Sequence, residues 1–224
     1  MPDPVPVAVL AKAPVPGYAK TRLIPHLGAE GAASLQEALT VHALATALAS
    51  SIGPVTLWGA PDVGHPCFQS AVRRLPIRVA DQPEGDLGAR MLAAFQASGG
   101  PLVLIGTDCP VLTATDLREA ANALRHGADV ALAPAEDGGY GLIGARRPFP
   151  YLFEAMPWST ARVAALTAER ARTAGLRFTV LRQVWDVDTP ADVERLRRSG
   201  LSDVLGDAGP PSRIVAAKQQ TRPM

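Results

Sequence analysis

Cysteine is scarce in this chain of 224 residues. Cys67 and Cys109 stand far apart, with no paired Cys/His spacing around either. That excludes a zinc site of the usual ligand spacing and suits free thiols in a reducing compartment. Charge of one sign is lacking too, since 22 Lys and Arg stand against 21 Asp and Glu, a formal net charge of +1. So even a balance gives no electrostatic case for nucleic acid or an anionic membrane surface, and any basic site must be local. No segment reaches the roughly 18–20 consecutive apolar residues of a membrane span. The first residues carry no basic stretch, and Pro2, Pro4 and Pro6 interrupt them; a cytoplasmic protein is expected. Three familiar motifs are missing as well. There is no Gly-x-Ser-x-Gly elbow and no Walker-type Gly-Lys-Ser/Thr. No Gly-x-Gly-x-x-Gly follows the first strand, which speaks against a dinucleotide redox enzyme.

What is present is apolar sequence in short, regular pieces. Hydrophobic residues make up 47% of the chain, enough for one sizeable core and one domain. The stretch Leu102-Val103-Leu104-Ile105 has no polar alternation, as expected of a strand buried on both faces. Gly106-Thr107-Asp108-Cys109-Pro110 ends it, because Pro110 fixes φ and offers no amide donor. Asp108 therefore falls just past the carboxyl end of a central strand, although Asp is also an ordinary turn residue.

Six more strands are expected, at Val5 to Ala11, Pro54 to Trp58, Ile77 to Ala80, Val130 to Ala133, the apolar run from Tyr140, and Phe178 to Leu181. Helices are expected from about residue 29 to Ser51, Pro66 to Arg74, Leu87 onward, Thr113 or Thr115 to Arg125, Ala161 to Ala174, and Ala191 to Arg198. Asp86 is placed to cap the third of these, Ser159 or Thr160 the fifth, and Thr189 the sixth, where Pro190 follows as a start signal. His42 reads as a packed, hydrogen-bonded core histidine. Strands alternating with helices predict an α/β chain, a mostly parallel sheet covered on both faces. Residues 1–201 read as one domain, and 202–224, rich in Gly, Pro and polar residues, as a flexible tail.

In such a sheet the polar loops 12–22, 107–109 and 185–188 share one edge, and the Glu136-Asp137-Gly138-Gly139 turn adjoins them. That turn is either a plain hairpin or a place where the backbone approaches a ligand. The first loop is stiffened by Pro14 and Pro16 and carries Lys12, Lys20 and Arg22. Lys and Arg suit phosphate oxygens, Arg in a two-pronged grip. Carboxylates opposite them suit Mg²⁺ held together with substrate phosphates.

Six motifs occur in order: Ala11-Lys12-Ala13-Pro14-Val15-Pro16-Gly17 with Lys20-Thr21-Arg22-Leu23, then Gly85-Asp86-Leu87-Gly88, Gly106-Thr107-Asp108-Cys109-Pro110, Glu136-Asp137-Gly138-Gly139-Tyr140, Pro157-Trp158-Ser159-Thr160 and Asp186-Val187-Asp188-Thr189-Pro190. Over residues 5–198 the chain resembles the bacterial GT-A-type transferases named radical-SAM/selenodomain-associated glycosyltransferases. The first and last motifs are more distantly similar to 2-phospho-L-lactate guanylyltransferases.

The resemblance implies a three-layer, Rossmann-like GT-A fold and a Mg²⁺- or Mn²⁺-dependent transferase acting on a nucleoside triphosphate or nucleotide-sugar and a small-molecule acceptor. It makes Lys20, Arg22 and Asp108 the catalytic candidates. Lys12, Pro16, Gly17, Lys20, Arg22, Gly85, Asp86 and Thr107 are candidates for the nucleotide. Asp108 and Asp188 are candidates for the metal, with Asp186 a further ligand or a neighbour supporting them. Glu136, Asp137, Gly138, Gly139 and Trp158 are candidates for the acceptor, Trp158 either stacking on a ligand or filling the core. The metal strand carries Thr107-Asp108-Cys109 where glycosyltransferases of this fold commonly carry Asp-x-Asp. Nucleotidyl transfer with loss of pyrophosphate is therefore the leading expectation, glycosyl transfer the alternative, and a non-enzymatic nucleotide-binding module the third.

Overall fold

A computed structural model describes residues 2–201; the expected tail, 202–224, lies outside the described residues. Seven strands form one sheet: β1 (Val7–Lys12), β2 (Val55–Ala60), β3 (Ile77–Asp81), β4 (Leu102–Ile105), β5 (Val130–Pro134), β6 (Tyr140–Ala145) and β7 (Phe178–Val180). Their spatial order is β3-β2-β1-β4-β6-β5-β7. β4 is buried along its whole length and β1 up to Lys12, as an apolar run at the middle of a covered sheet requires.

Six α-helices accompany the strands: α1 (Ile24–Ser50), α2 (Pro66–Arg74), α3 (Leu87–Ser98), α4 (Ala114–Arg125), α5 (Val163–Thr173) and α6 (Pro190–Arg198). One face of the sheet packs on α1, α2 and α4 through Leu44, Phe68, Leu117 and Leu124. The other packs on α3 and α5, where Met91, Phe95 and Phe153 meet Leu10, Leu104 and Ile143. The result is the three-layer α/β architecture of the GT-A type. Among the described residues no helix is long and apolar enough to cross a membrane.

Two features set the working edge. The chain leaves β1 toward β2 and β3 on one side, and toward β4, β6, β5 and β7 on the other. The β1–β4 boundary is thus the switch point, outside whose carboxyl ends ligands bind in sheets of this kind. β6 alone runs antiparallel, pairing Ile105 with Leu142 and Leu102 with Ala145. Its beginning therefore lies beside the end of β4, and the 136–139 turn reaches the same edge as Asp108.

Several local starts follow from side-chain capping. Asp86 accepts from the Ala89 amide at 2.8 Å, and Thr113 with Asp116, like Thr189 with Asp192, closes a reciprocal cap. His42 is half-buried with Nε2 2.8 Å from the Pro110 carbonyl. Two expectations need correction. Ser159 and Thr160 do not cap α5, which starts at Val163 behind Arg162 with no side-chain cap; the Thr160 hydroxyl instead donates to the Pro157 carbonyl, and Ser159 sits at φ 63. Helix α1 also begins before Gly28, which breaks it at φ 73 and ψ 167, a backbone state open to glycine.

Asp116 fastens the edge from outside. It is buried, and Arg182, which follows β7, donates to it at 2.6 Å and to the Val111 carbonyl at 2.6 Å. Burial pushes the Asp116 carboxyl up, but Arg182 and Thr113 outweigh it and the net shift is downward. A carboxyl depressed in the folded state stabilises above the ordinary carboxylate range, and loses that effect as pH falls through its folded value. Asp116→Asn is expected to lower stability at neutral pH by about 1–3 kcal/mol. In urea titrations the deficit should narrow at pH 3; an equal deficit at both pH values would contradict this account.

Candidate active site

The loop after β1 is shaped by what it cannot do. Pro14, Pro16 and Gly17, with Gly17 at φ 83, keep it out of helix and strand, and the Tyr18 and Ala19 amides turn back onto the Val15 carbonyl. The turn ends at Lys20, which holds φ 45 and ψ 46. A left-handed backbone in a residue with a Cβ is strained, and such strain persists where the surroundings enforce it.

Those surroundings are two carboxylates and a carbonyl. Lys20 Nζ lies 2.7 Å from Asp108 Oδ1, 3.1 Å from Asp188 Oδ1 and 2.7 Å from the Val187 carbonyl oxygen. The Lys20 side chain is 5% exposed, the Asp108 side chain 50%. Burial pulls the ammonium toward deprotonation, Asp108 and Asp188 pull harder the other way, and its pKa ends above the ordinary lysine value. The Val187 amide donates to the Asp108 carbonyl at 2.8 Å, which ties the 185–188 segment to the end of β4. Thr107 is buried and accepts from Gln36 of α1 at 3.0 Å. Arg22 Nη1 reaches Asp188 Oδ2 at 3.2 Å, with the Arg22 side chain 72% exposed.

These groups floor a cleft of about 670 Å³. Its other wall is Arg90 and Met91 of α3, Tyr140, Trp158 and the exposed Ser159 and Thr160. Trp158 meets Tyr140 edge-on at 6.5 Å and packs against Gly88. Asp137 turns back to accept from the Gly139 amide at 2.8 Å. Asp186 is pushed up to about 6 by burial first, then by Asp137 and Asp188. Burial, with Asp186 and Asp108 close by, likewise pushes the Cys109 thiol far up and leaves it un-ionised.

The residues present fit a hard cation that arrives with its own oxygens. Asp108 and Asp188 hold Lys20 between them, Asp188 also meets Arg22, and Asp186 lines the same cleft, so carboxylate oxygens gather at this edge. Among the described residues no three His, Cys, Asp or Glu side chains stand close enough to cage an ion. Two carboxylates completed by substrate phosphates match Mg²⁺ rather than an all-protein site.

Of the residues expected from sequence, Lys12, Lys20, Arg22, Thr107, Asp108, Asp137, Gly139, Trp158, Asp186 and Asp188 all line this one cleft. Six do not. Pro16 and Gly17 only shape the first loop. Gly85, at φ 115, and Asp86 start α3, the Asp86 carboxylate being used as its cap. Gly138, at φ 87, is pressed against Ala161, whose carbonyl oxygen would lie 2.2 Å from an added Cβ. Glu136 is held by Arg195 in a two-pronged pair at 2.7 and 2.9 Å, and Arg195 stacks on Trp185. Gln36, Gln82, Arg90 and Tyr140 line the cleft unforeseen. Arg90 lies inside an apolar helical pattern and gives no local signal. Gln82 does, since it follows the carboxyl end of β3; its amide donates to the Ala11 and Trp58 carbonyls at 3.0 and 2.7 Å.

Comparison with known proteins bears on this arrangement. Residues 43–160 match a family described as an uncharacterized protein conserved in bacteria, DUF2064. No curated protein matches the chain. A candidate nucleotide-diphospho-sugar transferase from Desulfovibrio desulfuricans G20 is 31% identical, with a TM-score of 0.78, over 90% of this chain and 93% of that one. CMP:2-keto-3-deoxy-manno-octonic acid synthetase, solved with CTP, is 14% identical with a TM-score of 0.59, over 90% of this chain and all of that one. The inositol-1-phosphate CTP transferase of T. maritima is 12% identical with a TM-score of 0.58, over 92% of this chain and 96% of that one. The last two likenesses are of fold alone.

The contact between α3 and the 153–158 segment can be tested directly. A Cβ at Gly88 would lie 2.5 Å from the Phe153 carbonyl oxygen and 2.9 Å from the Trp158 indole. Gly88→Ala is expected to destabilise by about 1–3 kcal/mol and to shift the indole fluorescence as Trp158 is displaced. Unchanged stability and emission would show the wall to be looser than described.

Proposed function

The chain belongs to the bacterial DUF2064 family, and on that premise we propose that its cleft transfers a nucleotidyl group from a nucleoside triphosphate to a small phosphate- or carboxylate-bearing acceptor. The protein is an enzyme of the transferase class, built on a fold shared with nucleotide-using transferases. The observation that carries the reading is Lys20, fixed between Asp108 and Asp188 at the switch point, with Arg22 and Lys12 facing the same cleft. Three cations on one stiff loop match a triphosphate better than a diphosphate sugar.

In this mechanism an acceptor oxygen attacks the α-phosphorus. The bond from that phosphorus to the bridging oxygen breaks, and pyrophosphate leaves with the electron pair. Arg22 reaches the departing phosphates, and Lys20, buried beside it, adds its charge against the one that grows on them. Asp108 and Asp188 are the residues that would hold Mg²⁺ (or Mn²⁺), which when bound would supply Lewis-acid and templating chemistry. Asp108 keeps Lys20 protonated and aimed, and Gln36 with Thr107 fixes the strand end beneath both. Positioning and charge supply the acceleration, with no covalent intermediate on the enzyme.

Glycosyl transfer is the second reading, favoured by the 31% identical D. desulfuricans protein. There Asp137, exposed on the cleft, would activate the acceptor.

A thermal-shift panel of nucleoside triphosphates and nucleotide-sugars, with and without Mg²⁺, is expected to show the largest rise with one triphosphate plus Mg²⁺. Lys20→Met should abolish that rise. With the selected nucleotide and a panel of sugar phosphates and hydroxy acids, pyrophosphate should be released, and Asp108→Ala and Asp188→Ala should slow it about 10²–10³-fold. Release of a nucleoside diphosphate from a nucleotide-sugar would replace this reading with the second. Failure of every nucleotide to bind would remove both.

A further inference from the structure

We infer that Arg90 anchors an oxyanion carried by the acceptor, on the wall of the cleft opposite the phosphate-holding loop. The inference rests on reading the cleft as a transferase site and adds to it the residue that selects the second substrate.

The cleft holds four cations, and they differ in what they touch. Lys20 is shared by Asp108 and Asp188, and Arg22 leans on Asp188. Lys12 is exposed at the end of β1. Arg90 is half-buried in the first turns of α3, and among the described residues its guanidinium forms no hydrogen bond or ion pair. Its Nε is fully buried without a partner, while the terminal nitrogens are not enclosed. A guanidinium whose near end is sealed from water has lost hydration that nothing in the protein replaces. Arg90 lines the cleft, and its open end is the part that a ligand there can meet. A planar, two-pronged donor held in this way fits a carboxylate or a phosphate.

The wall around it has the character of a second substrate's seat. Trp158, packed on Gly88 two residues before Arg90, also holds a buried indole N–H without a partner. Ser159, beside it, keeps a left-handed backbone and an exposed side chain at the cleft. Strain of this kind collects at ligand-holding segments.

The two walls lie on opposite faces of the sheet. Met91 and Trp158 share a cluster with Leu10 and Leu104, whereas Gln36 of α1 reaches Thr107 from the other face. A triphosphate held by Lys20 and Arg22 therefore leaves Arg90 for the other reactant. Asp108 and Asp188 pair with Lys20 and Arg22 and not with Arg90.

Inorganic phosphate and acetate, titrated calorimetrically into the full-length protein, are suitable probes because neither requires turnover. Each titration is run alone and with the α,β-methylene analogue of the triphosphate selected above. Wild type is expected to bind at least one anion even with the analogue bound. The stronger of the two tells whether the acceptor group is a phosphate or a carboxylate. Arg90→Met, which keeps the stem, should weaken that binding about tenfold or more, leave the analogue's affinity within about twofold, and retain the wild-type melting temperature. Arg90→Lys should restore part of the binding. Lys20→Met should do the opposite, losing the analogue and keeping the anion. The inference is overturned if Arg90→Met leaves anion binding unchanged, if it weakens the analogue instead, or if wild type binds neither anion. The titrations without nucleotide read Arg90 even if no triphosphate binds, so its failure is distinct from failure of the proposed reaction.

Discussion

An ammonium group with almost no access to water is tolerable only if negative charge surrounds it, and Lys20 meets that condition with Asp108, Asp188 and the Val187 carbonyl. The rest of the cleft follows from this contact. It requires the strained backbone at Lys20, the backbone bond from Val187 to Asp108, and a 185–188 segment laid across the end of β4. Lys20 serves both carboxylates, and Arg22 adds a second cation on Asp188.

The sheet makes that contact possible through order rather than proximity in sequence. With β1 and β4 adjacent and β6 turned against them, four separate loops meet at one edge. Outside the edge, the Arg182–Asp116 pair and the Arg195–Glu136 pair hold the segments before and after 185–188 to α4 and to the 136–139 turn. Glu136 therefore has a fastening role, while its neighbour Asp137 faces the cleft.

Much of this was legible in the residues. Alternation of apolar runs with helical spacing gave every strand and the covered, mostly parallel sheet. Punctuation by Pro, Gly and capping residues gave most helix starts. The charged loops at strand ends gave the Lys20, Asp108 and Asp188 convergence, because in a parallel sheet those ends have only one place to go. What stayed hidden depends on direction. Asp86 and Asp137 are both carboxylates beside glycine, yet one caps a helix and the other faces the cleft, and only the fold separates them. Arg90 sits among Leu87, Met91 and Phe95 with nothing nearby to mark it, since its role is set by which helix face meets the cleft. Ser159 and Thr160 looked like cap residues because their type fits a cap, but the chain needed another turn before α5 began.

Lys20 and Asp188 are separated by 168 positions along the chain. No autonomous fragment could hold both, so the charged centre comes into being only when the first and last strands' loops are already docked. Assembly of the pocket is thereby tied to the slowest class of contacts, those that close the longest loops. A polyanion that prefers the finished pocket then acts on the whole molecule at once. Its occupancy reports the integrity of the entire sheet rather than the state of any single loop.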